Sequence, residues 1–223
     1  MLGLPAALAP GLAVAQAPVA VDLMLVLAMD ASGSIDEAEH RLQREGVAAA
    51  LTDPGIIQLA MAGKARSIAL ALVEWGSPGG AVTAVDWTRV HDAASAQALA
   101  DAIRAAPRSR QSYNAIGDAI VHATALIEAA PFHSEDRVID VAGDGPDLRS
   151  IVSAPVARDR AVALDITINA LAIEVSPVTR FGLPLREHYE RDVIGGDDAF
   201  VMVAETRADF LRAMRAKLWR EIA

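Results

Sequence analysis

Leu23–Ile35 reads LMLVLAMDASGSI, and the interpretation of the whole chain starts from this stretch. Its first seven residues, Leu23–Met29, are apolar and stop abruptly at Asp30. A short apolar run bounded by polar turn residues is typical of a strand that is buried on both faces of a parallel sheet. Asp30, Ser32 and Ser34 then carry oxygen atoms at alternate positions, just past the carboxyl end of that strand. Because ligands bind at this edge of open α/β sheets, the motif predicts a binding site.

The three polar side chains of this motif form a candidate metal-binding group. One carboxylate and two hydroxyls are hard oxygen donors, which suit Mg²⁺, Mn²⁺ or Ca²⁺ better than zinc or copper. The same turn has a simpler interpretation, in which Ser34 or Asp36 only caps the helix that follows. The residues of this stretch alone leave both interpretations open.

Downstream of the motif, predicted strands and helices alternate. The alternation indicates a Rossmann-like α/β fold, with a mostly parallel central sheet of about six strands and helices on both faces. Segment 81–87 alternates apolar and polar residues after a glycine-rich loop, which favours one antiparallel edge strand. The other predicted strands are 67–75, 137–142, 166–173 and 199–204, and the predicted helices are 36–50, 92–106, 114–130, about a dozen residues within 150–163, 185–193 and 206–223.

The composition limits the classes of partner. The chain has 223 residues and a formal net charge of −9, which argues against nucleic acid and anionic membrane surfaces, since both need a basic patch. Arg108, Arg110 and several arginines after residue 206 cluster in sequence, and we interpret them as solvated surface and a helix end. The absence of cysteine excludes disulfides, thiolate metal sites and a cysteine nucleophile.

Residues 1–17, MLGLPAALAPGLAVAQA, have the features of a secretory signal peptide. The segment carries no charged side chain and ends in an A-x-A-like cleavage site, although it lacks a basic region at its start. The alternative is a disordered leader rich in alanine and proline. The segment is short and contains Pro5 and Pro10, which argues against stable membrane insertion. We therefore expect a single domain at 18–223 in a periplasmic or secreted protein.

Two later segments add oxygen donors next to predicted strands or helices. NAIGDAI at 114–120 starts a helix with Asn114, and VIDVAGDGP at 138–146 ends a buried strand with Asp144. Together with the first motif, they resemble the three loops of the metal-ion-dependent adhesion site of von Willebrand factor A (vWA) domains. That family has a threonine where this chain has Asn114, whose amide oxygen can bind Ca²⁺ or Mg²⁺ or whose side chain can simply cap the helix. Asp140 lies within the strand, and we expect it to be structural and paired with a neighbouring arginine.

The resemblance covers roughly 20–221. The sequence resembles more closely still the DUF1194 family, a bacterial family of secreted vWA-like proteins. In that family the third loop usually reads SGDG, and this chain has Ala142 in place of the serine. The matching segments are VDLxLVLxxDASGSI around the first motif, VEW at 73–75, NAIGDAI, VIDVAGDGP, ITINALAI at 166–173, VIGG at 193–196 and the final KLWREI.

The resemblance implies a divalent cation, which would be Mg²⁺ or else Mn²⁺ or Ca²⁺. An ion held mostly by neutral ligands accepts a carboxylate from a partner protein as a further ligand. This is binding chemistry without a general base or nucleophile, so we expect no enzyme. The candidate metal residues are Ser32, Ser34 and Asn114 as direct ligands, Asp30 and Asp144 acting through water or backbone contacts, and Ser112 and Gly145 as secondary candidates.

Two other functions stay open. A structural vWA-like domain whose metal site has decayed is favoured by Asn114 and Ala142. A metal-dependent hydrolase or phosphatase would use Asp30 as nucleophile, as haloacid-dehalogenase-like enzymes do. Those enzymes place a second aspartate two residues later, where this chain has Ser32. The five histidines show no metal-ligand spacing.

Overall fold

The structure is a computed structural model that describes residues 17–174 and 176–223. The predicted leader lies outside the described residues except for Ala17. Within the described residues, the strands are β1 (Val19–Ala20), β2 (Leu23–Asp30), β3 (Ile68–Trp75), β4 (Val82–Val90), β5 (Phe132–His133), β6 (Arg137–Gly143), β7 (Thr167–Ile173) and β8 (Val201–Ala204).

Six of the described strands form the central sheet, in the order β4-β3-β2-β6-β7-β8. Neighbouring strands are parallel except for β3 and β4, which form an antiparallel pair at one edge. The predicted fold class is therefore confirmed.

Helices cover both faces of the sheet. The apolar side chains of α1, α2, α3 and α7 share one core with Leu25 and Leu27 of β2. Those of α4, α5 and α6 share the other core with Val26 and Ala28. The described helices are α1 (Glu37–Leu51), α2 (Pro54–Ala60), α3 (Ala93–Ala105), α4 (Ile116–Glu128), α5 (Ala154–Val162), α6 (Leu185–Asp192) and α7 (Phe210–Ile222).

Strand β2 lies in the interior of the sheet because its side chains are apolar on both faces. All eight of its residues are buried, including Asp30 at its end. The chain leaves β2 toward β3 on one side, and β6 later pairs with the other side. The carboxyl ends of β2 and β6 thus flank a point where the direction of winding reverses, which is the usual ligand crevice of such sheets.

Several predicted elements differ from the structure in length. Helix α5 has nine residues, and α7 begins only at Phe210, after a 3₁₀ turn at Arg207–Asp209. Strand β4 continues to Val90, beyond the predicted limit. The expected arginine partner of Asp140 is wrong, because Lys217 Nζ of α7 lies 2.7 Å from Asp140 Oδ1.

A second, two-stranded sheet pairs β1 with β5 in parallel, and it was not predicted. It lies next to the amino end of β2, where the end of α7 also arrives, since Asp22 and Ala223 line the same cavity. Among the described residues, no helix has the length and apolar character needed to cross a membrane.

Candidate metal site

The first and third predicted loops meet at the carboxyl edge of the sheet. Asp30 is the last residue of β2, and Asp144 directly follows β6, which pairs with β2 along six registered residues. Parallel pairing brings the two loops side by side. The backbone N–H of Asp144 lies 3.4 Å from Asp30 Oδ2.

The polar atoms of the two loops converge in a short chain of contacts. The Ser32 and Ser34 hydroxyl oxygens are 2.9 Å apart, and the Ser34 hydroxyl donates to Asp144 Oδ1 at 2.9 Å. The Ser32 N–H donates to Asp30 Oδ1 at 2.7 Å, which fixes the turn after β2. The four side chains Asp30, Ser32, Ser34 and Asp144 therefore form one cluster.

The electrostatics of this cluster reflect two carboxyl groups that lie close together. Asp30 is fully buried, and this burial, with the charge of Asp144 as the next cause, raises the pKa of Asp30 to about 7. Hydrogen bonds from Ser32 and from the Asp144 backbone offset only part of that shift. The two carboxyl groups would attract a divalent cation to this edge of the sheet, so the charge of the donor set fits such an ion.

Asn114, in the second loop, lies against the third loop. A Cβ atom placed on Gly145 would come within 1.9 Å of Asn114 Nδ2, so the asparagine side chain occupies the space that Gly145 leaves. The alternative that Asn114 caps α4 is wrong, because the N-cap residue is Ala115. Ser112 is exposed, and its N–H donates to Ser77 Oγ at 3.1 Å.

Capping of α1 falls to Asp36. Its carboxylate accepts from the Glu39 N–H at 2.8 Å, and the Glu39 carboxylate accepts from the Asp36 N–H at 2.9 Å. This reciprocal capping box gives partners to the N–H groups of Asp36 and Glu39 at the start of α1. Ser34 is not the cap of this helix, and its hydroxyl contacts Ser32 and Asp144 instead.

Asp147 links the second and third loops, and the sequence interpretation did not identify it. Its carboxylate accepts from the N–H groups of Ile116 and Gly117, at 2.9 and 3.3 Å, and so caps α4 from another loop. The other oxygen accepts from the Ala154 N–H at the start of α5, at 3.0 Å. One side chain thus fixes two helix starts beside Asp144.

Asp118 anchors the same loop further along. It accepts from the N–H groups of Ile151 and Val152, at 2.9 and 3.0 Å, and from that of Gly79 at 2.8 Å. Tyr189 of α6 adds a third anchor, since its buried hydroxyl donates to the Gly145 carbonyl at 3.1 Å. Burial and the charge of Asp30 raise the pKa of Tyr189 well above its ordinary value, so its hydroxyl keeps its proton. These roles depend on residues that are distant in sequence.

Arg108 holds the first loop, contrary to its interpretation as solvated surface. Its guanidinium donates to the Ile35 carbonyl at 2.5 Å and lies 3.4 Å from the carbonyls of Ala31 and Ser32. The carboxylate of Glu74 accepts from the N–H of the adjacent Ser109 at 2.7 Å. The segment after α3 is therefore fastened to both β3 and the first loop.

Glu74 is itself buried and paired. Arg44 Nη2 lies 2.6 Å from Glu74 Oε1, and His40 Nε2 lies 2.5 Å from the same oxygen. Burial alone would raise the pKa of Glu74, but hydrogen bonds from His40 and Ser109 and the charge of Arg44 outweigh it and lower this pKa to about 2.

The donor types suit a hard cation. The cluster offers two hydroxyls and two carboxylates, with the Asn114 amide close by. Among the described residues, no group of three or more His, Cys, Asp or Glu side chains is arranged to hold a metal ion. Any ion here would therefore depend on serine hydroxyls, which favours Mg²⁺ or Ca²⁺ over a soft transition metal.

Comparisons with known proteins identify the family. A family model described as "Protein of unknown function (DUF1194)" matches residues 20–223. The chain belongs to the DUF1194 family. No curated protein matches this DUF1194 chain.

Solved structures similar to this DUF1194 domain include vWA domains at low sequence identity, and this likeness shows its fold. The vWF domain of the pilus tip protein Mfa5 from Porphyromonas gingivalis is 12% identical with a TM-score of 0.62, over 90% of this chain and 95% of that one. The mussel byssus protein PTMP1, with a zinc-occupied MIDAS motif, is 15% identical with a TM-score of 0.64, over 94% of this chain and 47% of PTMP1. The pilus adhesin SpaC from Lactobacillus rhamnosus GG is 14% identical with a TM-score of 0.65, over 91% of this chain and only 30% of SpaC.

Proposed function

We propose that this DUF1194 domain is a protein-binding module that depends on a divalent cation. Mg²⁺ is the preferred ion, with Mn²⁺ and Ca²⁺ as alternatives. The proposed direct ligands are Ser32, Ser34 and Asn114, with Asp30 and Asp144 acting through water or backbone contacts. The observation that carries the proposal is the convergence of the two serine hydroxyls, 2.9 Å apart, with Asp144 Oδ1, 2.9 Å from Ser34 Oγ.

The proposed partner is a protein that supplies an acidic side chain to the ion. Neutral hydroxyl and amide ligands leave most of the charge of the ion available to a further carboxylate. The similar structures of a pilus adhesin and of a byssus matrix protein support a binding role over an enzymatic one. The sequence leader at 1–17 supports a periplasmic or secreted location.

Calorimetric titration of the metal-free protein with Mg²⁺, Mn²⁺ and Ca²⁺ tests the site. We expect saturable binding that is lost in Asp30→Ala and Ser34→Ala. It should be retained in Ser153→Ala, since the Ser153 side chain makes no capping hydrogen bond. Absence of binding to the wild type would refute the proposal and favour a structural domain with a decayed site.

A carboxylate titration tests the second step. On Mn²⁺-loaded protein, acetate should displace a metal-bound water, which is measured as a fall in water-proton relaxation enhancement. If acetate leaves the relaxation unchanged while Mn²⁺ stays bound, the ion has no position open to a partner carboxylate, and the binding mechanism is wrong.

A further inference from the structure

The face of the sheet under α7 contains a buried group of three charged side chains. Asp140 lies within β6, and Lys217 and Glu221 are four residues apart on α7. Lys217 Nζ lies 2.7 Å from Asp140 Oδ1 and 2.5 Å from Glu221 Oε1. Their side chains are 1%, 0% and 0% exposed, respectively, so the group is separated from bulk water. The VIDVAGDGP and KLWREI segments of the sequence therefore meet in this group.

The charges of this group do not balance. One ammonium faces two carboxyl groups, and a buried excess charge is costly. Asn169 of β7 donates to Glu221 Oε1 at 3.1 Å but carries no charge. Lys217 contacts Asp140 Oδ1, whereas Asp140 Oδ2 and Glu221 Oε2 accept no hydrogen bond from the described part of the chain. A proton on Asp140 removes the excess charge and provides a donor to Glu221.

Among the described residues, Lys217 is the cation whose charge acts on Asp140. The residue of β2 in register with Asp140 is Leu27. The Arg220 guanidinium is stacked on the Phe200 ring, 3.7 Å from its centroid, and that ring is also 5.0 Å from Lys217 Nζ. A cavity of about 520 Å³ adjoins the group at the amino edge of the sheet, and its other charged lining residues are Asp22, Asp136, Asp197 and Asp198.

We propose that Asp140, Lys217 and Glu221 form a pH-dependent anchor of α7, which holds one shared proton in mildly acidic solution and weakens when that proton leaves. In the protonated state the Asp140 hydroxyl donates to Glu221 and Lys217 pairs with the remaining carboxylate. At higher pH the proton passes to hydroxide in the adjoining cavity, which leaves two carboxylates with one ammonium. The two carboxylates then repel each other, which weakens the contact between β6 and α7.

The direction of the pH effect follows from the raised pKa of Asp140. Burial and the charge of Glu221 raise this pKa from 3.8 to about 7, and Lys217 reduces the shift. The folded state therefore binds the proton more tightly than the unfolded state. The resulting stabilisation is complete below about pH 4 and is lost as the pH rises through about 7.

Thermal unfolding at pH 5 and pH 8 tests the anchor when wild type and Asp140→Asn are compared. Asn is neutral at both pH values, so the fall in Tm between them should be smaller in the variant by about 5 °C. The comparison is needed because Asp30, at the opposite edge, also has a pKa raised to about 7. Asp101→Asn, at an exposed position of α3, should keep the wild-type profile.

A local measurement separates the anchor from global stability. After correction for intrinsic exchange rates, raising the pH from 5 to 8 should increase amide hydrogen exchange of α7 about tenfold more in wild type than in the variant. Glu221→Gln serves if Asp140→Asn does not fold, because it leaves one carboxylate for one ammonium. Equal pH dependence of wild type and the folded variant, or a carbon-13 titration placing the pKa of Asp140 below 5, would overturn the proposal.

Discussion

Replacing Glu74 with glutamine should destabilise the domain strongly, although the two side chains have nearly the same shape. The Glu74 carboxylate is 1% exposed and accepts from Arg44, His40 and the Ser109 N–H. In Glu74→Gln, the Arg44 guanidinium remains buried at 6% exposure without a counter-charge. The change therefore creates a buried unpaired cation.

The magnitude follows from the pKa of Glu74. A fall from 4.5 to about 2 corresponds to about 3 kcal/mol of folding free energy at neutral pH. This value agrees with the loss of about 3–5 kcal/mol that is typical when one partner of a buried ion pair is removed by mutation. Because the pKa is depressed in the folded state, this stabilisation is present above pH 4.5 and is lost as the pH falls through about 2.

Urea denaturation at pH 7, 5 and 3 provides the assay. The difference in unfolding free energy between wild type and Glu74→Gln should be about 3 kcal/mol at pH 7 and about 2 kcal/mol smaller at pH 3. Glu45→Gln removes an exposed pair with Arg104 and should cost less than about 1 kcal/mol. A difference below about 1 kcal/mol at pH 7 for Glu74→Gln, or one independent of pH, would show that the pairing is not stabilising as argued.

Two further changes test the contacts around the third loop. Gly117→Ala should lower the unfolding free energy by more than about 3 kcal/mol in urea denaturation, because its Cβ would lie 1.9 Å from the Val152 carbonyl oxygen. In the control Gly182→Ala, the added Cβ has no atom within 4 Å, and the loss should be about 1 kcal/mol because the φ of this residue is +79°. Asp147→Ala should lower the unfolding free energy by about 1–3 kcal/mol, because it leaves the N–H groups at the starts of α4 and α5 without their acceptor. The side chain of Asp159 is 69% exposed, so Asp159→Ala should have little effect. Equal losses in the two variants would contradict the capping role of Asp147.

The fold was predictable because its signals are local. The apolar run of β2 and the alternation of strands and helices both follow from side-chain burial, which a sequence displays directly. The position of Asp30 and Asp144 next to each other followed from two parallel strands ending at one edge. The pair β1–β5 was missed because a strand of two residues has no periodicity to detect.

The supporting contacts were not predictable for a different reason. Asp147 caps α4 across 31 residues, and Arg108 reaches the Ile35 carbonyl across 73. Neither residue type nor spacing indicates such pairs. Asn114 could have been a cap on sequence grounds, and only the arrangement of the third loop assigns that role to Asp147.

The pairing of β1 with β5 has a consequence for how the domain is presented. Val19 pairs with Phe132, and Ala223 lines the same cavity as Asp22, so both ends of the described chain lie at the edge of the sheet opposite Asp30. A segment joined to either end would therefore be attached at that edge of the sheet. The loop that carries Ser32 and Ser34 lies at the other edge, so attachment through either end would leave that edge uncovered.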